Sequence, residues 1–428
     1  MQTKQPATNT ALIIKISVIQ LAIGIWDEIM NSTLQNVLVS GFSKSETFKG
    51  TVIAASQLLT MLLLPLWGAL SDRCKSKFGR RTPFIVTGGF VCAAFLAGSV
   101  LFYEQQNLTF FLLCIFAGAI GICMVNPAAT ALVPDLTPKH RNAHASVINR
   151  IVCSLGGAWV VLLILIFDTD FTVIYLVSAG TVLNCTLFYI FAVRENKLRE
   201  QQKDILNLCN GPSSDEKTSL TALLRQFSQS EKKSFFLILA ANFFAKFAYY
   251  AFSSAYLNYA VAQWGMQFSH TGLLTFGLYL AGLFSILFTA RIADRLGRKT
   301  TLLLSYIFMF GGFAVASLTD RFGFTAIVSL LFIGIGWSME SVLPLPMLIE
   351  LSGSGTVGII TSVYTDSCKL GRVTGPFLAG LLCDRTKAGY KALYPLSAVT
   401  MLPALLCTPF IRHGNVRTPA QKEVAEDA

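Results

Sequence analysis

The sequence predicts an all-α integral membrane protein whose twelve transmembrane helices form two pseudo-symmetric six-helix lobes. Three observations predict this: the 428-residue chain is 53% hydrophobic and only 13% charged, long apolar stretches alternate with charged loops, and the two halves share motifs. Soluble domains carry about 25% charged residues. The composition therefore excludes a soluble enzyme of ordinary surface and a disordered chain.

Twelve stretches meet the requirement for crossing a bilayer, which is about 20 mostly apolar residues. They cover residues 12–39, 47–70, 83–103, 108–133, 143–167, 171–193, 234–260, 269–290, 300–318, 323–349, 356–382 and 392–411. A long polar segment follows the sixth stretch. It divides the chain into an N-terminal lobe (1–193), a cytoplasmic linker (194–233), and a C-terminal lobe with a cytoplasmic tail (234–428).

The basic residues predict the orientation of the helices. Of the 34 Lys and Arg residues, 23 lie in the termini and the loops on one side, six lie in the loops on the other side, and five lie inside the stretches. Because cytoplasmic loops are enriched in Lys and Arg, both termini are expected in the cytoplasm and the protein in the plasma membrane. The same bias accounts for the net charge of +11, so no nucleic-acid partner is expected.

The two halves of the chain repeat each other. Residues 68–81 (GALSDRCKSKFGRR) and 290–299 (ARIADRLGRK) both follow the second stretch of a half and share Asp-Arg, then Gly-Arg and a basic residue. Residues 121–136 align with 336–351, and SVINR at 146–150 aligns with SVYTD at 362–366. Repeated six-helix halves are typical of secondary transporters, which bind substrate near the midplane between the repeats.

These motifs resemble those of the major facilitator superfamily over the whole chain. The extended first copy, SDRCKSKFGRRTPFI, and NPAATALVPDLTP at 126–138 are similar to sucrose–proton symporters and, more distantly, to glycoside–pentoside–hexuronide:cation symporters. The resemblance implies the major facilitator fold and transport of a sugar or glycoside. Thr60 and Leu64 stand where melibiose-type symporters carry two aspartates of a sodium site, so a proton is the expected coupling ion and sodium the alternative.

The resemblance also implies that the repeated loops form a gate on the cytoplasmic side. Asp72 would meet the N-terminal end of the eleventh stretch near Gly355, where the helix dipole favours an anion, and the neighbouring arginines would pair with acids on the opposing face. The alternative is that the loops only anchor the topology by their positive charge. The gating residues are Gly68, Asp72, Arg73, Gly79, Arg80, Arg81, Asp294, Arg295, Gly297 and Arg298.

Polar residues recur every three or four positions in the first stretch, which is the spacing of one helix face. They are Gln20, Gly24, Asp27, Asn31 and Gln35. Asp27 and Glu28 are about 100° apart on a helix, so only one can face a central cavity squarely, and the stripe favours Asp27. The alternative is that the stripe forms hydrogen bonds between packed helices.

Charges inside the other stretches also need partners, since each costs about 2.5–3.5 kcal/mol or more at the bilayer centre. For Lys246 the expected partner is Asp27 or Glu28, and Glu340 is the alternative. Arg150 has no acid in its own helix, and its candidate partners are Glu340 and Asp366.

Two further interpretations stay open. Asp366 could be neutralised by Lys369, one turn along its own helix. Trp26 and Trp337 are candidates for stacking on a sugar ring, with packing or interface anchoring as the alternative. The complete candidate set for the substrate or coupling ion is Asp27, Glu28, Asn31, Gln35, Arg150, Lys246, Tyr250, Trp337, Glu340 and Asp366.

These features predict a secondary active transporter that moves a small sugar or glycoside with protons by alternating access. Asp27 is the first candidate for the proton-binding carboxylate and Glu340 the second. The alternative function is transport or export of a lipid-like or drug-like amphiphile. A polytopic membrane enzyme is less favoured because it would need a catalytic cluster of His and acidic residues, and a channel is less favoured because it would not need paired charges. The sequence contains neither the spacing of metal ligands nor a phosphate-binding loop. No cofactor is expected, and the protein is expected to act as a monomer in the lipid bilayer.

Overall fold

The computed structural model describes residues 10–74, 76–136, 142–193, 195–196, 198, 200, 224–225, 227–319, 321–352 and 357–413. Their regular secondary structure is helical throughout. They divide into two compact units, one formed by residues 1–43 and 56–213, the other by residues 44–55 and 214–428. The second helix of the chain is therefore shared, because its first turns belong to the C-terminal unit.

The described part of the chain before the polar linker holds six long α-helices, the first of which is continued by two π-helical segments with the short α-helix Leu34–Asn36 between them. They are α1 (Thr10–Glu28) with the π segments Ile29–Thr33 and Val37–Gly41, then α2 (Glu46–Arg73), α3 (Thr82–Glu104), α4 (Leu108–Leu136), α5 (Asn142–Phe167) and α6 (Phe171–Ala192). Short π segments inside α-helices occur frequently at functional sites. The first helix therefore carries its backbone irregularity directly after its two carboxylates.

Seven further α-helices are described after the linker. They are α7 (Gln229–Trp264), α8 (Phe268–Leu296), α9 (Arg298–Ser317), α10 (Phe324–Val342), α11 (Pro344–Ser352), α12 (Val357–Arg385) and α13 (Leu393–Cys407), with 3₁₀ turns at Gly389–Ala392 and Thr408–Phe410. The predicted tenth stretch is split into α10 and α11 at Leu343. Pro344 and Pro346 account for the break, because proline has no amide hydrogen to continue the helical ladder.

Nine helices within the described ranges are long and apolar enough to span a membrane by length and composition. The other three predicted stretches are also helical in the structure. Of these, α1 carries three charged residues, α12 carries five, and the apolar part of α8 is limited to His270–Ile286. Large apolar side chains such as Leu62, Phe191 and Phe284 are exposed, as expected for surfaces that face lipid. The prediction of an all-α multi-pass membrane protein is confirmed.

Within the N-terminal unit, α1 packs on α5 and α6, and α3 packs on α4 and α6. The crossing of α1 and α5 is close: a Cβ atom on Gly24 would lie 1.8 Å from the carbonyl oxygen of Cys153, and one on Gly156 would lie 2.2 Å from that of Leu21. Small residues permit such backbone contacts in membranes. Gly24 therefore serves helix packing, which corrects its place in the predicted cavity face.

Within the C-terminal unit, α7 packs on α12 and α13, while α9 and α8 pack on α10. The long helix α7 begins at a capping box in which Ser228 and Glu231 satisfy each other's backbone amides. It ends at Gly265 in the left-handed conformation. Helix α7 thus lies beside α12, and its charged and aromatic side chains also contact α10.

Candidate functional site

A buried ion pair joins α7 to α10. The Nζ atom of Lys246 contacts the Oε2 atom of Glu340, and the two residues are 4% and 0% exposed. The structure thus selects the alternative partner for Lys246, and the expected pairing with Asp27 or Glu28 is wrong. It also gives Glu340 a partner other than Arg150, which is exposed on α5.

Aromatic rings cover this ion pair. Trp337 and Tyr249 stack in parallel with ring centroids 3.6 Å apart and planes at 9°, and the Lys246 ammonium lies 3.9 Å from the centroid of the Trp337 ring. A parallel ring at that distance leaves no room for an ammonium on the same face, so Tyr249 and Lys246 occupy opposite faces of the indole. The predicted stacking of Trp337 on a sugar ring is therefore blocked in this conformation.

The helical period explains why these side chains meet. Lys246, Tyr249 and Tyr250 are spaced i, i+3 and i+4 on α7, and Trp337 and Glu340 are spaced i and i+3 on α10. Tyr250 contacts Trp337 edge to face at 5.5 Å. Because the spacing on the two helices matches, the aromatic contact of Tyr249 with Trp337 lies one turn from the ion pair of Lys246 with Glu340.

Helix α12 lies along the other side of α7. The Asn242 amide donates to Ser367 Oγ at 3.1 Å, and Ser367 Oγ donates to the Leu239 carbonyl at 3.0 Å. The Arg372 guanidinium lies 5.2 Å from the Tyr250 ring centroid. Asp366 is exposed and Lys369 is half-buried. Sequence reasoning missed Ser367, because a single serine between charged neighbours carries no distinctive signal.

In the N-terminal unit, only some of the predicted site residues are accessible. Asp27 and Asn31 are half-buried, whereas Glu28 and Gln35 are buried. The accessible part of the stripe is thus Asp27 and Asn31, as the helical spacing favoured for Asp27. Trp26 is buried and packs so closely on α4 that a Cβ atom on Gly118 would lie 2.8 Å from its ring. The structure therefore favours the packing interpretation for Trp26, whose ring is not accessible to a sugar here.

The loop after α2 is held by an acid that the sequence analysis did not single out. Glu195, which follows α6, accepts hydrogen bonds from the backbone amides of Arg80 at 2.9 Å, Arg81 at 2.9 Å and Thr82 at 3.0 Å, and from the Thr82 hydroxyl at 2.9 Å. It is 1% exposed. The Thr82 amide is a free donor in the first turn of α3, and the amides of Arg80 and Arg81 directly precede it, where the helix dipole also favours an anion.

Gly79 precedes these amides with φ of +123°. A Cβ atom there would lie 2.2 Å from the Glu195 carboxylate. Arg81 donates from Nη1 to Ser71 Oγ at 2.6 Å, and Arg73 is exposed. The Asp72 side chain and Gly355 lie outside the described part of the chain, so their predicted contact stays a prediction. Gly68 is half-buried on α2, with its Cβ position 3.8 Å from Pro127.

The second copy of the loop motif is arranged differently. Arg298 forms an ion pair with Glu350 on α11, the acid that the internal repeat aligns with Asp135. Gly297 has φ of +85° and separates α8 from α9. Asp294 and Arg295 are exposed. The Lys299 ammonium donates to the Pro409 carbonyl at 2.7 Å, so the residues after α13 hold this loop, as Glu195 after α6 holds the first.

The Arg298–Glu350 pair is expected to contribute little stability. The two side chains are 31% and 25% exposed, and partly solvated pairs contribute about 0–1 kcal/mol. Arg298→Ala should therefore lower the free energy of unfolding by less than about 1 kcal/mol, measured by denaturant titration in mixed micelles. A loss above twice that value would contradict a solvated pair.

Comparisons with known proteins agree with this architecture. The sequence matches the family model described as Major Facilitator Superfamily over residues 16–368 and again over 238–427. The chain belongs to the major facilitator superfamily. It is thus a member of a transporter family, and the fold expected from the loop motifs is confirmed, while the narrower sucrose or glycoside group stays a prediction.

Two curated relatives and two solved structures illustrate the similarity. An uncharacterised symporter of Synechocystis sp. is 30% identical over 118 residues, covering 26% of this chain and 22% of that protein, so this match spans about a fifth of the relative. Multidrug resistance protein MdtG of Klebsiella pneumoniae is 23% identical over 392 residues, covering 87% of this chain and 86% of that protein.

The solved structures share the fold at low identity. The inward-open xylose transporter XylE from E. coli superposes with a TM-score of 0.69 at 16% identity, covering 97% of this chain and 99% of that one. A POT family transporter in complex with a thioalcohol-conjugated peptide gives 0.72 at 13% identity, covering 94% and 96%. At these identities the likeness concerns the fold alone.

Proposed function

We propose that this protein is a proton-coupled secondary transporter of a small polar solute, a sugar or glycoside, and that the Lys246–Glu340 pair couples the proton to transport. The observation that carries the proposal is the burial of this pair: Lys246 is 4% and Glu340 0% exposed inside the C-terminal unit. Charged residues in membrane helices are costly, and they mark ion pathways and proton relays.

The geometry supplies a mechanism for coupling. Glu340 is ionised while it accepts from Lys246, and a proton on Glu340 removes the charge that compensates the buried ammonium. Breaking a buried pair on one side only costs several kcal/mol. After protonation of Glu340, the Lys246 ammonium therefore needs another anionic partner or water. Reaching either one requires the contacts between α7 and α10 to change. Proton binding and helix rearrangement are in this way linked through one pair of atoms.

The aromatic neighbours give the pair a second connection, to substrate. Trp337 is sandwiched by Tyr249 and the Lys246 ammonium, and Tyr250 lies against both Trp337 and Arg372. A change at Lys246 frees one face of the Trp337 ring. An exposed indole face beside polar groups suits a sugar ring, since sugars present both C–H surfaces and hydroxyls. The resemblance of the loop at 71–85 to sucrose–proton symporters supports the same substrate class.

A second candidate is transport of an amphiphile. It is favoured by the similarity to the multidrug resistance protein MdtG, which extends over 87% of this chain, and by the aromatic character of the site. Thermal stabilisation of the purified protein separates the two candidates. A panel of sucrose, maltose and xylose beside ethidium and lysophosphatidylcholine should show stabilisation by a sugar, whereas a response to the amphiphiles alone favours the second candidate.

The coupling role is tested with two carboxylate variants in proteoliposomes. Glu340→Gln is expected to abolish accumulation of the stabilising solute driven by an imposed pH gradient, because the amide binds no proton, while exchange of solute across the membrane continues. Asp27→Asn is the matched variant on the half-buried carboxylate of α1 and should retain accumulation. Uptake of labelled solute with and without the gradient is the measurement.

The opposite pattern has a definite meaning. Accumulation that survives in Glu340→Gln and disappears in Asp27→Asn would return coupling to Asp27, the first candidate from the sequence. Accumulation that follows a sodium gradient and ignores pH would overturn proton coupling altogether.

A further inference from the structure

The ion pair described above uses only one of the two carboxylate oxygens of Glu340. Its Oε2 atom contacts the Lys246 ammonium, whereas its Oε1 atom has no hydrogen-bond partner among the described residues. Glu340 is 0% exposed, so bulk solvent does not reach the carboxylate. A buried oxygen that accepts no hydrogen bond is costly, and in folded proteins such atoms are commonly satisfied by a bound water.

A second buried oxygen without a partner lies on the neighbouring helix. Tyr306 of α9 is 0% exposed, and its hydroxyl has no hydrogen-bond partner in the described part of the chain. This hydroxyl interacts electrostatically with Glu340. An ionised carboxylate only accepts hydrogen bonds, whereas a phenolic hydroxyl can also donate one. The two unsatisfied groups are therefore chemically complementary.

Close packing brings α9 and α10 together at this point. A Cβ atom on Gly336 would lie 2.6 Å from the Ser305 carbonyl oxygen, and one on Gly312 would lie 2.7 Å from that of Ser329. The two helices thus touch through their backbones, and the order of these contacts shows that they run antiparallel. One turn forward along α10 therefore corresponds to one turn back along α9.

This arrangement directs the tyrosine side chain toward the carboxylate. Glu340 lies one turn beyond Gly336 on α10, so it is level with the turn before Ser305 on α9. Side chains of an α-helix lean toward its N-terminus. The Tyr306 ring therefore extends from its own turn toward the level of Glu340.

Other polar groups complete the surroundings of Glu340. Titratable groups that interact with it are Lys246 of α7, Tyr306 of α9, and Tyr364 and Cys368 of α12. The ionisable side chains described on α8, which also packs on α10, are exposed: His270, Arg291, Asp294 and Arg295. A buried water makes about three hydrogen bonds to groups that would otherwise be unsatisfied. The hydroxyls and the thiol near Glu340 can supply them.

We propose that a bound water molecule joins Glu340 Oε1 to the Tyr306 hydroxyl, and that Tyr306 is thereby a positioning residue for this carboxylate. The water donates one hydrogen to Oε1 and accepts the hydroxyl hydrogen, so both buried oxygens are satisfied together. Water fits better than a metal cation, because the Lys246 ammonium already compensates the charge of the carboxylate.

The consequence for transport rests on the proposed coupling role of Glu340, whereas the water site itself does not. A hydrogen bond donated to a carboxylate favours its charged form. The bound water therefore helps to set the pH at which Glu340 takes up a proton.

Infrared spectroscopy of the full chain in proteoliposomes tests the water directly. Spectra in ordinary water and in water labelled with the heavy oxygen isotope, recorded at one alkaline pH, reveal the O–H stretching bands of bound waters. Tyr306→Phe removes the hydroxyl and keeps the ring, so one isotope-sensitive band of the original protein should disappear. This measurement needs neither substrate nor transport.

A pH titration of the same samples tests the positioning role. The carboxyl band of protonated Glu340 is identified by its absence in Glu340→Gln. In Tyr306→Phe its midpoint should move to higher pH by about one unit, a tenfold change in proton affinity, because the charged form has lost a hydrogen-bond donor.

Tyr394→Phe is the matched control. Tyr394 also lies in the C-terminal unit, is 1% exposed, and has a hydroxyl without a hydrogen-bond partner among the described residues. Its ring packs on Phe252 and Tyr259 and not on the ion pair. This variant should leave the water band lost in Tyr306→Phe and the carboxyl midpoint unchanged.

Three outcomes would overturn the inference. The first is that every isotope-sensitive band persists in Tyr306→Phe. The second is a carboxyl midpoint that moves without the loss of such a band, which would mean a direct hydrogen bond from the tyrosine. The third is an equal shift in Tyr394→Phe, which would mean a general effect of packing. By contrast, loss of the band together with accumulation that survives in Glu340→Gln would overturn the coupling role and support the water site.

Discussion

Lys246→Ala is expected to lower the free energy of unfolding by about 3–5 kcal/mol, the cost of leaving one partner of a buried ion pair without its counterpart. Glu340 is fully buried, and its Oε1 atom has no other hydrogen-bond partner within the described residues. Loss of the ammonium therefore leaves the buried carboxylate without the partner that compensates its charge. Denaturant titration in mixed micelles measures the loss. Lys15→Ala is the matched control, since Lys15 lies on α1 but is exposed, and it should change stability by less than about 0.5 kcal/mol.

The double variant separates pairing from packing. Lys246→Met with Glu340→Leu removes both charges and keeps apolar volume, so stability should return to near that of the original protein. Transport driven by a proton gradient should remain absent, because no group is left to carry the proton. If Lys246→Ala were rescued by removing Asp27 or Glu28 and not Glu340, the pairing seen in the structure would not be the one that matters in the membrane.

Gly79→Val should lower stability by about 2–4 kcal/mol, from backbone strain and steric overlap together. The φ of +123° disfavours any L side chain, and the new Cβ atom would lie 2.2 Å from a Glu195 carboxylate that four hydrogen bonds hold in place. Expression and topology should survive, as the sequence interpretation of this loop expects, while transport slows strongly. Denaturant titration and hydrogen exchange of residues 76–85 report the change.

Gly265→Val isolates the backbone contribution. Gly265 also has a positive φ, of +64°, but no described residue beyond its own stretch of chain has an atom within 4 Å of its Cβ position. Gly265→Val should therefore lower the free energy of unfolding by only about 1–2 kcal/mol. Equal losses at Gly79 and Gly265 would mean that the Glu195 contact adds nothing. If a Gly79 variant transported solute at an unchanged rate, the proposed role of this loop in transport would be contradicted.

The helical periodicity of the sequence placed several residues correctly. It put Asp27 on the accessible face of the first helix and Glu28 away from it, because a helix turns 100° per residue whatever its surroundings. It placed Lys246 in a stripe on α7 and Trp337 one turn from Glu340 on α10. Each of these predictions concerns residues within a single helix, because the periodicity of a sequence predicts only which residues share one helix face.

The predicted partners were less successful. Lys246 and Glu340 are 94 positions apart in the chain, and spacing alone gives no preference between Glu340, Asp27 and Glu28. Glu195 sits in a charged segment after α6, where an acid is ordinarily solvated, so nothing local distinguishes it. For Trp26 the sequence left sugar stacking and packing both open, because a Trp beside a carboxylate looks the same in sequence whether it faces a solute or Gly118.

What the sequence by itself determined is the class of the protein: apolar stretches of membrane length, their repeated halves and the bias of basic residues follow from bilayer thickness and insertion. What only the tertiary structure decided is which helix faces meet. That choice depends on close backbone contacts at small residues, such as Gly24 against α5 and Gly380 against α2, which bring side chains from distant segments within hydrogen-bonding distance. The ion pairs of Lys246 with Glu340 and of Glu350 with Arg298, and the capping of α3 by Glu195, are consequences of that packing and have no signature in any single helix.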